Sequence, residues 1–282
     1  MDPAHMHKRL LEEIRSLEPL PEVAQRVMTL SQQADVIPRE LVAVIHTDAG
    51  ITAKILKLCN SSLFGFQREI ASLPEAGNLL GVRTLVNLVL TSCAGRYFRD
   101  YGAGAAAGRK RWEDSVSCAL ASSLLAGLCE VDKPRAYTAG LLMNVGHLVL
   151  DRFAPETSEL LEAEVARGTS RLDAEEIAVG MNHAELGARL AERWQFPEVL
   201  VDTIRNHHTP DDSRSDPALA SVAHLGELFT ASLEMGEGLE CLAYELNQGA
   251  AGLCGIDRSG FERIEDLLRG ELEKARELVA LA

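Results

Sequence analysis

The sequence predicts an all-α protein, and three observations carry that prediction. Apolar residues recur at intervals of three and four along most of the chain, the spacing that lines one side of a helix. Few segments show the strict alternation of a half-buried strand, and aromatic residues, which favour strands, make up only 5% of the chain. A hydrophobic content of 46% over 282 residues fills one large core or two ordinary ones, so the helices have something to pack around.

The opening MDPAHMHKRLLEEI lacks the charged-then-apolar layout of a secretory signal. No stretch reaches the roughly 18 to 20 consecutive apolar residues of a membrane span, so a cytoplasmic protein with no membrane partner is expected. The prolines of LEPLPEV (17–23) set the entry to the next helix, since the segment is too short for a polyproline ligand. Pro38 stands at a first-turn position ahead of RELVAVIH, and Ser72-Leu-Pro-Glu75 has capping-box spacing before a helix that Gly81 ends. The run VRTLVNLVLTSCAGRYF from Val82 is apolar on most sides and predicts a central buried helix.

Residues 100–108, DYGAGAAAG, are small and Gly-rich and read as a mobile connection. This places an N-terminal helical subdomain at 1–109 and a second helical subdomain at 110–233, broken at Val131-Asp-Lys-Pro134, at Arg167-Gly168 and at TPDDSRSDP (209–217). A C-terminal helical extension covers 234–282. In its last helix Phe261, Ile264, Leu267, Leu268, Leu272 and Ala275 form one stripe, which would pack on the body or on a second copy of the chain.

Composition narrows the partners. Forty-two acidic against 28 basic residues give a formal charge of -14, which repels a nucleic-acid backbone. The one dense basic cluster, Arg109-Lys110-Arg111, reads as a solvated helix start. Six cysteines (59, 93, 118, 129, 241 and 254) include no CxxC and lie largely in apolar patterns, so they are expected as small hydrophobes without a disulfide or a zinc knot.

Chemistry-bearing residues concentrate in the second subdomain. In TAGLLMNVGHLVL (138–150) a polar Asn144 interrupts an apolar run. His183 shares a helix face with Gly187, Leu190 and Trp194, the ordinary position of a satisfied core histidine. His207 and His208 close another helix, where the dipole favours imidazolium. His224 and Glu227 follow on the next. Inward histidines on successive helices are also how helical bundles build metal sites. In the first subdomain, CNSSLFGFQREI (59–70) offers Asn60, Ser61 and Ser62 for turning a helix end, with Gly65 in the loop and Phe64 and Phe66 to anchor it.

The order of several segments resembles the HDOD family, catalytically degenerate relatives of the HD and HD-GYP phosphohydrolases. These segments are LEPLPEVAQRVMTL (17–30), DAGITAKILKLCNSSLFG (48–65), IASLPEAGNLLGVRTLVNLVL (70–90), WEDSVSCALASSLLA from 112, AGLLMNVGHLVLDRF from 139, NHAELGARLAERWQFPEVLVDTIRNHHTP from 182 and VAHLGELFT from 222. The resemblance implies a multi-helical HDOD fold, an N-terminal helical subdomain packed on an HD-like bundle. It also implies that Met143 and Asn144 stand where active relatives carry a metal-binding His-Asp pair, and that Glu227 stands at a position held there by Asp. A further histidine of those relatives has no counterpart between Trp112 and Cys118. A thioether and a neutral amide are poor ligands for the divalent ions of phosphoester hydrolysis. His183, His207 and His208 remain at histidine positions of the HD-GYP pattern. The resemblance therefore implies no catalysis and no cofactor, and a bacterial signal-transduction or regulatory scaffold that binds signalling proteins. Two alternatives stay open: a weak metal-dependent phosphohydrolase using His183, His207, His208 and Glu227, and a sensor for a small ligand such as a nucleotide in the space the metals vacated.

Overall fold

A computed structural model describes residues 3–31, 36–61, 64–101, 105–235, 247–256 and 263–271, and every regular element among them is a helix. Five helices come first: α1 (Pro3–Ser16), α2 (Glu22–Ser31), α3 (Pro38–Ile45), α4 (Ala49–Cys59) and α5 (Leu73–Leu80). The long α6 (Val82–Tyr101) and α7 (Ala105–Ala126) follow. Then come α8 (Lys133–Leu142), α9 (Gly146–Phe153), α10 (Ser158–Ala166) and α11 (Arg171–Val179). The last described helices are α12 (His183–Arg193), α13 (Glu198–Asn206), α14 (Pro217–Met235), α15 (Gln248–Leu253) and α16 (263–271).

Helix starts follow the capping residues. Ser72 accepts from the Glu75 amide at 3.4 Å while the Glu75 carboxylate accepts from the Ala71 amide at 3.2 Å, a near-reciprocal box at the start of α5. Asp48, Asp132, Ser170 and Asn182 cap α4, α8, α11 and α12 in the same manner. Gly81 ends α5 at φ 81°, a conformation that favours glycine.

The expected central helix is α6. Leu85, Leu88, Val89 and Leu90 are all buried, which requires neighbours on several sides: α2, α4 and α5 on the first-block side, α7, α8 and α9 on the other. In the second block α7 runs against α8 and α14. Glycines let these backbones approach. A Cβ on Gly140 would lie 2.5 Å from the Cys118 carbonyl, and one on Gly226 would lie 3.0 Å from the Ser122 amide.

Two expectations are corrected, the mobile connection and the solvated basic cluster. Residues 105–108 are the first turn of α7 rather than a mobile connection, because alanine favours helix and α7 is held by its neighbours; 102–104 lie outside the described residues. Residues 109 and 110 lie inside α7, and one apolar core extends from Met6 to Leu268. The first helix, placed by sequence in the N-terminal subdomain, lies against α9, α11 and α12 of the second block, burying Met6, Leu10 and Ile14. In the basic cluster Arg111 is not merely solvated, since its guanidinium holds Asp151 at 3.0 and 3.1 Å.

The cysteines divide. Cys59, Cys93 and Cys118 are buried hydrophobes, as expected, and Cys241 lies outside the described residues. Cys129 and Cys254, 125 residues apart, form a disulfide. Docking of α15 on α14 carries Cys254 to the end of α7, a proximity no local spacing could announce. Cys254→Ser is expected to lower stability by about 2–4 kcal/mol, chiefly by freeing the unfolded chain. Urea unfolding of the variant and of the reduced wild type should give the same lowered midpoint.

In α16 Ile264 and Leu268 are buried but Leu267 is exposed, so the stripe is narrower than predicted; Phe261, Leu272 and Ala275 lie outside the described residues. Among the described residues no helix is long and apolar enough to cross a membrane.

Candidate functional site

Four helix ends and one helix interior meet at a single place in the second block. The segment after α8 supplies Met143 and Asn144, α9 supplies His147 one residue inside its start, and α12 begins at His183. His207 and His208 follow α13, and α14 supplies His224 and Glu227 from its interior. What brings α9 onto α12 is a pair of glycines. A Cβ on Gly146 would overlap the His183 carbonyl oxygen and lie 2.6 Å from the Gly187 amide nitrogen. With hydrogen there instead, the His147 ring stacks on His183 at a centroid distance of 4.0 Å and 18° between planes.

One carboxylate organises the upper half. Glu175 of α11 has no exposed surface, and its Oε2 accepts from both the backbone amide (2.8 Å) and Nδ1 (2.7 Å) of His183. Its Oε1 accepts from Arg171 Nε at 3.0 Å and faces His147 Nδ1 at 3.7 Å. Burial alone would raise the Glu175 pKa. The bonds from His183 and Arg171 outweigh it, so the group titrates below the usual carboxylate range.

The tautomers follow from these bonds. With Nδ1–H given to Glu175, His183 turns its Nε2 inward. His207 gives Nδ1–H to the Ile204 carbonyl at 2.7 Å, and its Nε2, fully buried, has no hydrogen-bond partner. His208 Nε2 lies 3.0 Å from His183 Nε2. Glu227 Oε2 stands 3.8 Å from His207 Nε2 and 3.7 Å from His208 Nε2, while its Oε1 accepts from the Asn144 amide at 2.8 Å. Three of the imidazoles, those of His147, His207 and His208, are pushed toward the neutral form. Burial, and secondarily the adjacent His183, pushes His147 well below its usual value; burial and then His208 do the same to His207. Burial also lowers His208, with Glu227 opposing.

His183, His207, His208 and Glu227 each offer one ligand atom, and all four atoms lie within 4.8 Å of one another. Zinc bonds of about 2.0–2.1 Å place tetrahedral ligands roughly 3.3 Å apart, so three imidazoles and a carboxylate at these separations match one ion of the zinc or iron class. The orphaned His207 Nε2 is what a missing ligand bond would leave, and Glu175 and the Ile204 carbonyl are the partners that orient metal-bound histidines.

The residues singled out by sequence are thus only partly together. Met143 is fully buried in an apolar contact with Cys118 and Ala223 and offers the cluster nothing. Asn144 reaches the cluster through Glu227. His224 stands behind it, donating Nδ1–H to the His207 carbonyl at 2.9 Å and accepting from the Asn247 amide at 3.2 Å. Sequence reasoning passed over His147 and Glu175. The first sits four residues after Met143, across the turn that joins α8 to α9; the second sits on the Ala174–Ala178 side of α11, an acid on an apolar face.

The loop of the first block plays a different part. Asn60 donates to the Leu56 and Ile70 carbonyls at 2.8 and 2.9 Å and accepts from the Ile70 amide at 2.7 Å, which ties both ends of the loop together. Ser61 is buried, Gly65 takes φ 60°, and Ser62 lies outside the described residues. Phe64 packs on the core but Phe66, expected to anchor there as well, is exposed and stacks on Phe64 at 6.4 Å.

Comparisons with known proteins agree with this architecture. The model of a family described as the HDOD domain matches residues 17–210. An uncharacterized protein of Treponema pallidum (strain Nichols) is 28% identical over 224 residues, 76% of this chain; the chain spans 42% of that relative's length. A crystal structure of a proposed signal transduction protein from Marinobacter aquaeolei VT8 superposes with a TM-score of 0.78 at 23% identity, covering 99% of this chain and 65% of that one. A crystal structure of a proposed phosphohydrolase from Shewanella amazonensis SB2B gives 0.74 at 23% identity, covering 97% and 99%. At these identities the solved structures speak for the fold.

Proposed function

The chain belongs to the HDOD domain family, and from that premise we propose that it is a non-catalytic regulatory module of signal transduction, acting through contacts with other proteins. One observation carries the reading: Asn144 gives its neutral amide to Glu227 while Met143 is sealed between Cys118 and Ala223. Two-metal phosphoester hydrolysis needs a second ion about 3.5–4 Å from the first, held by anionic or imidazole ligands. On the Met143 side of Glu227 there is a thioether and an amide, and Glu175 is already engaged by His183 and Arg171. The neighbouring group of possible ligands, His147, Glu175 and His183, shares His183 with the first and has its carboxylate taken up by hydrogen bonds, so on this reading neither a bridging hydroxide nor a second clamp on a phosphate is supplied.

The expected result is that the protein hydrolyses bis(p-nitrophenyl) phosphate no faster than free Mn, Fe or Zn at equal concentration. Turnover above that level which disappears in His207→Ala would sink the non-catalytic reading. The formal charge of -14 favours protein partners over nucleic acid. The exposed Leu267 of α16 is the apolar residue that a second copy of the chain would cover.

A second reading has its own observation, the orphaned His207 Nε2. It holds that His183, His207, His208 and Glu227 bind one divalent ion, which would act by stiffening the junction of α12, α13 and α14. Purified protein is then expected to carry close to one equivalent of metal by plasma mass spectrometry, with a lower melting temperature after chelation. His207→Ala with His208→Ala should lose the metal. Metal far below one equivalent, unchanged by that pair of substitutions, would leave the histidines as a purely structural polar network.

A further inference from the structure

Away from the histidines, three helices begin on one cleft. Arg83 comes from the first turn of α6, Arg135 from the first turn of α8, and Val199 from the start of α13; Met28 near the end of α2 closes the remaining side. The cleft encloses about 400 Å³ at the seam between the two helical blocks, within the range of about 300–1,000 Å³ typical of small-molecule sites. Met28, Val86 and Leu200 form an apolar floor and are themselves almost fully buried. Thr138 donates to Asn87 Oδ1 at 2.8 Å and Asn87 donates to the Pro134 carbonyl at 3.1 Å, which orients the amide and leaves it a second N–H.

We propose that this cleft binds a small aromatic organic anion, its ring on Met28, Val86 and Leu200 and its charged group between Arg83 and Arg135. Size, floor and rim agree. Arg83 pairs with Asp132, and Arg135 approaches Asp216 at 3.5 Å, but both guanidinium side chains are about half exposed or more. Exposed pairs of this kind hold weakly, and a guanidinium with five donors can take a second acceptor. Of the helix starts, that of α8 is capped by the carboxylate of Asp132, which itself lines the cleft, so its partial positive charge is already met. That of α13 has no side-chain cap, and its acidic Glu198 is exposed.

The site is distinct from the histidine centre. From the cleft α8 runs to Asn144 and α13 runs to His207 and His208, about 14 Å along each axis at 1.5 Å per residue. An anion seated here touches the opposite ends of the two helices that carry those residues. The inference is independent of the non-catalytic reading, and its failure leaves that reading untouched.

Titration of the full chain with 8-anilinonaphthalene-1-sulfonate tests it, with the neutral 1-N-phenylnaphthylamine as the uncharged counterpart. The expected result is a saturable one-site fluorescence gain with the sulfonate and much weaker binding of the neutral probe. Arg83→Ala with Arg135→Ala should weaken the sulfonate by about tenfold or more, since two charge-assisted hydrogen bonds are lost. Val199→Trp, which fills the cleft, should abolish binding. The arginine pair is exposed, so those variants fold, and thermal melts verify it. Equal binding of the two probes, or sulfonate binding untouched by the arginine and tryptophan substitutions, would overturn the proposal.

Discussion

Gly146→Ala is expected to destabilise the protein by about 4 kcal/mol or more and to lower its melting temperature by about 10 °C. The added methyl group cannot be accommodated by a rotamer change, because what it meets is main chain: the His183 carbonyl and, at 2.6 Å, the Gly187 amide nitrogen. Relief requires α9 and α12 to separate, and His147, Val145 and Leu148 to lose buried contacts with them. The same separation would pull His183 away from His208, so any bound metal should be lost together with stability. Gly270→Ala is the control. Nothing lies within 4 Å of a Cβ there, and the change should stay within about 1 kcal/mol. A Gly146→Ala protein that melts with the wild type would mean that the two helices do not cross as closely as described.

Acidification is expected to produce the second large effect. His147 and His207 are held neutral by burial far below the 6.5 of an unfolded histidine, and His208 is lowered as well. Between the unfolded and folded values the unfolded chain binds protons that the folded chain refuses. Stability is therefore fully present above about pH 6.5 and declines as the pH falls below it. Each group contributes up to about 1.4 kcal/mol per pH unit, so the two most strongly shifted give a slope of about 2–3 kcal/mol per unit. Glu175 adds a separate loss lower down. Its folded pKa is depressed, so its contribution is present above the unfolded carboxylate value and disappears as pH falls through the folded one. Urea midpoints should be level from pH 8 to 7 and then drop steeply, and His147→Gln with His207→Asn should flatten the drop between pH 6.5 and 5. An unchanged slope in that double variant would show that these histidines are not the groups excluded from protonation.

Much of this was legible along the chain, for local reasons. Ser72, Pro38 and Gly81 act on backbone atoms within a few residues of themselves, so the starts of α3 and α5 and the stop at Gly81 could be read without a fold. The burial of α6 followed from an apolar surface too broad to face water. The Gly-rich stretch misled because glycine content suggested motion, whereas Ala105 to Ala107 have the highest helix propensity and α7 continues through them.

By itself the sequence determined the helical class, the order of the elements and the inward direction of His183. These depend on residue type and on a period of 3.6, which a single chain displays in full. Only the tertiary structure decided that Cys129 meets Cys254, that His147 and Glu175 join His183, and that His224 stands behind the cluster instead of in it. Those are contacts between helices, set by where glycines such as Gly146 and Gly187 let backbones touch. A one-dimensional pattern reports which face of a helix is apolar, not which helix will be pressed against it, and the histidine cluster lies at such a junction.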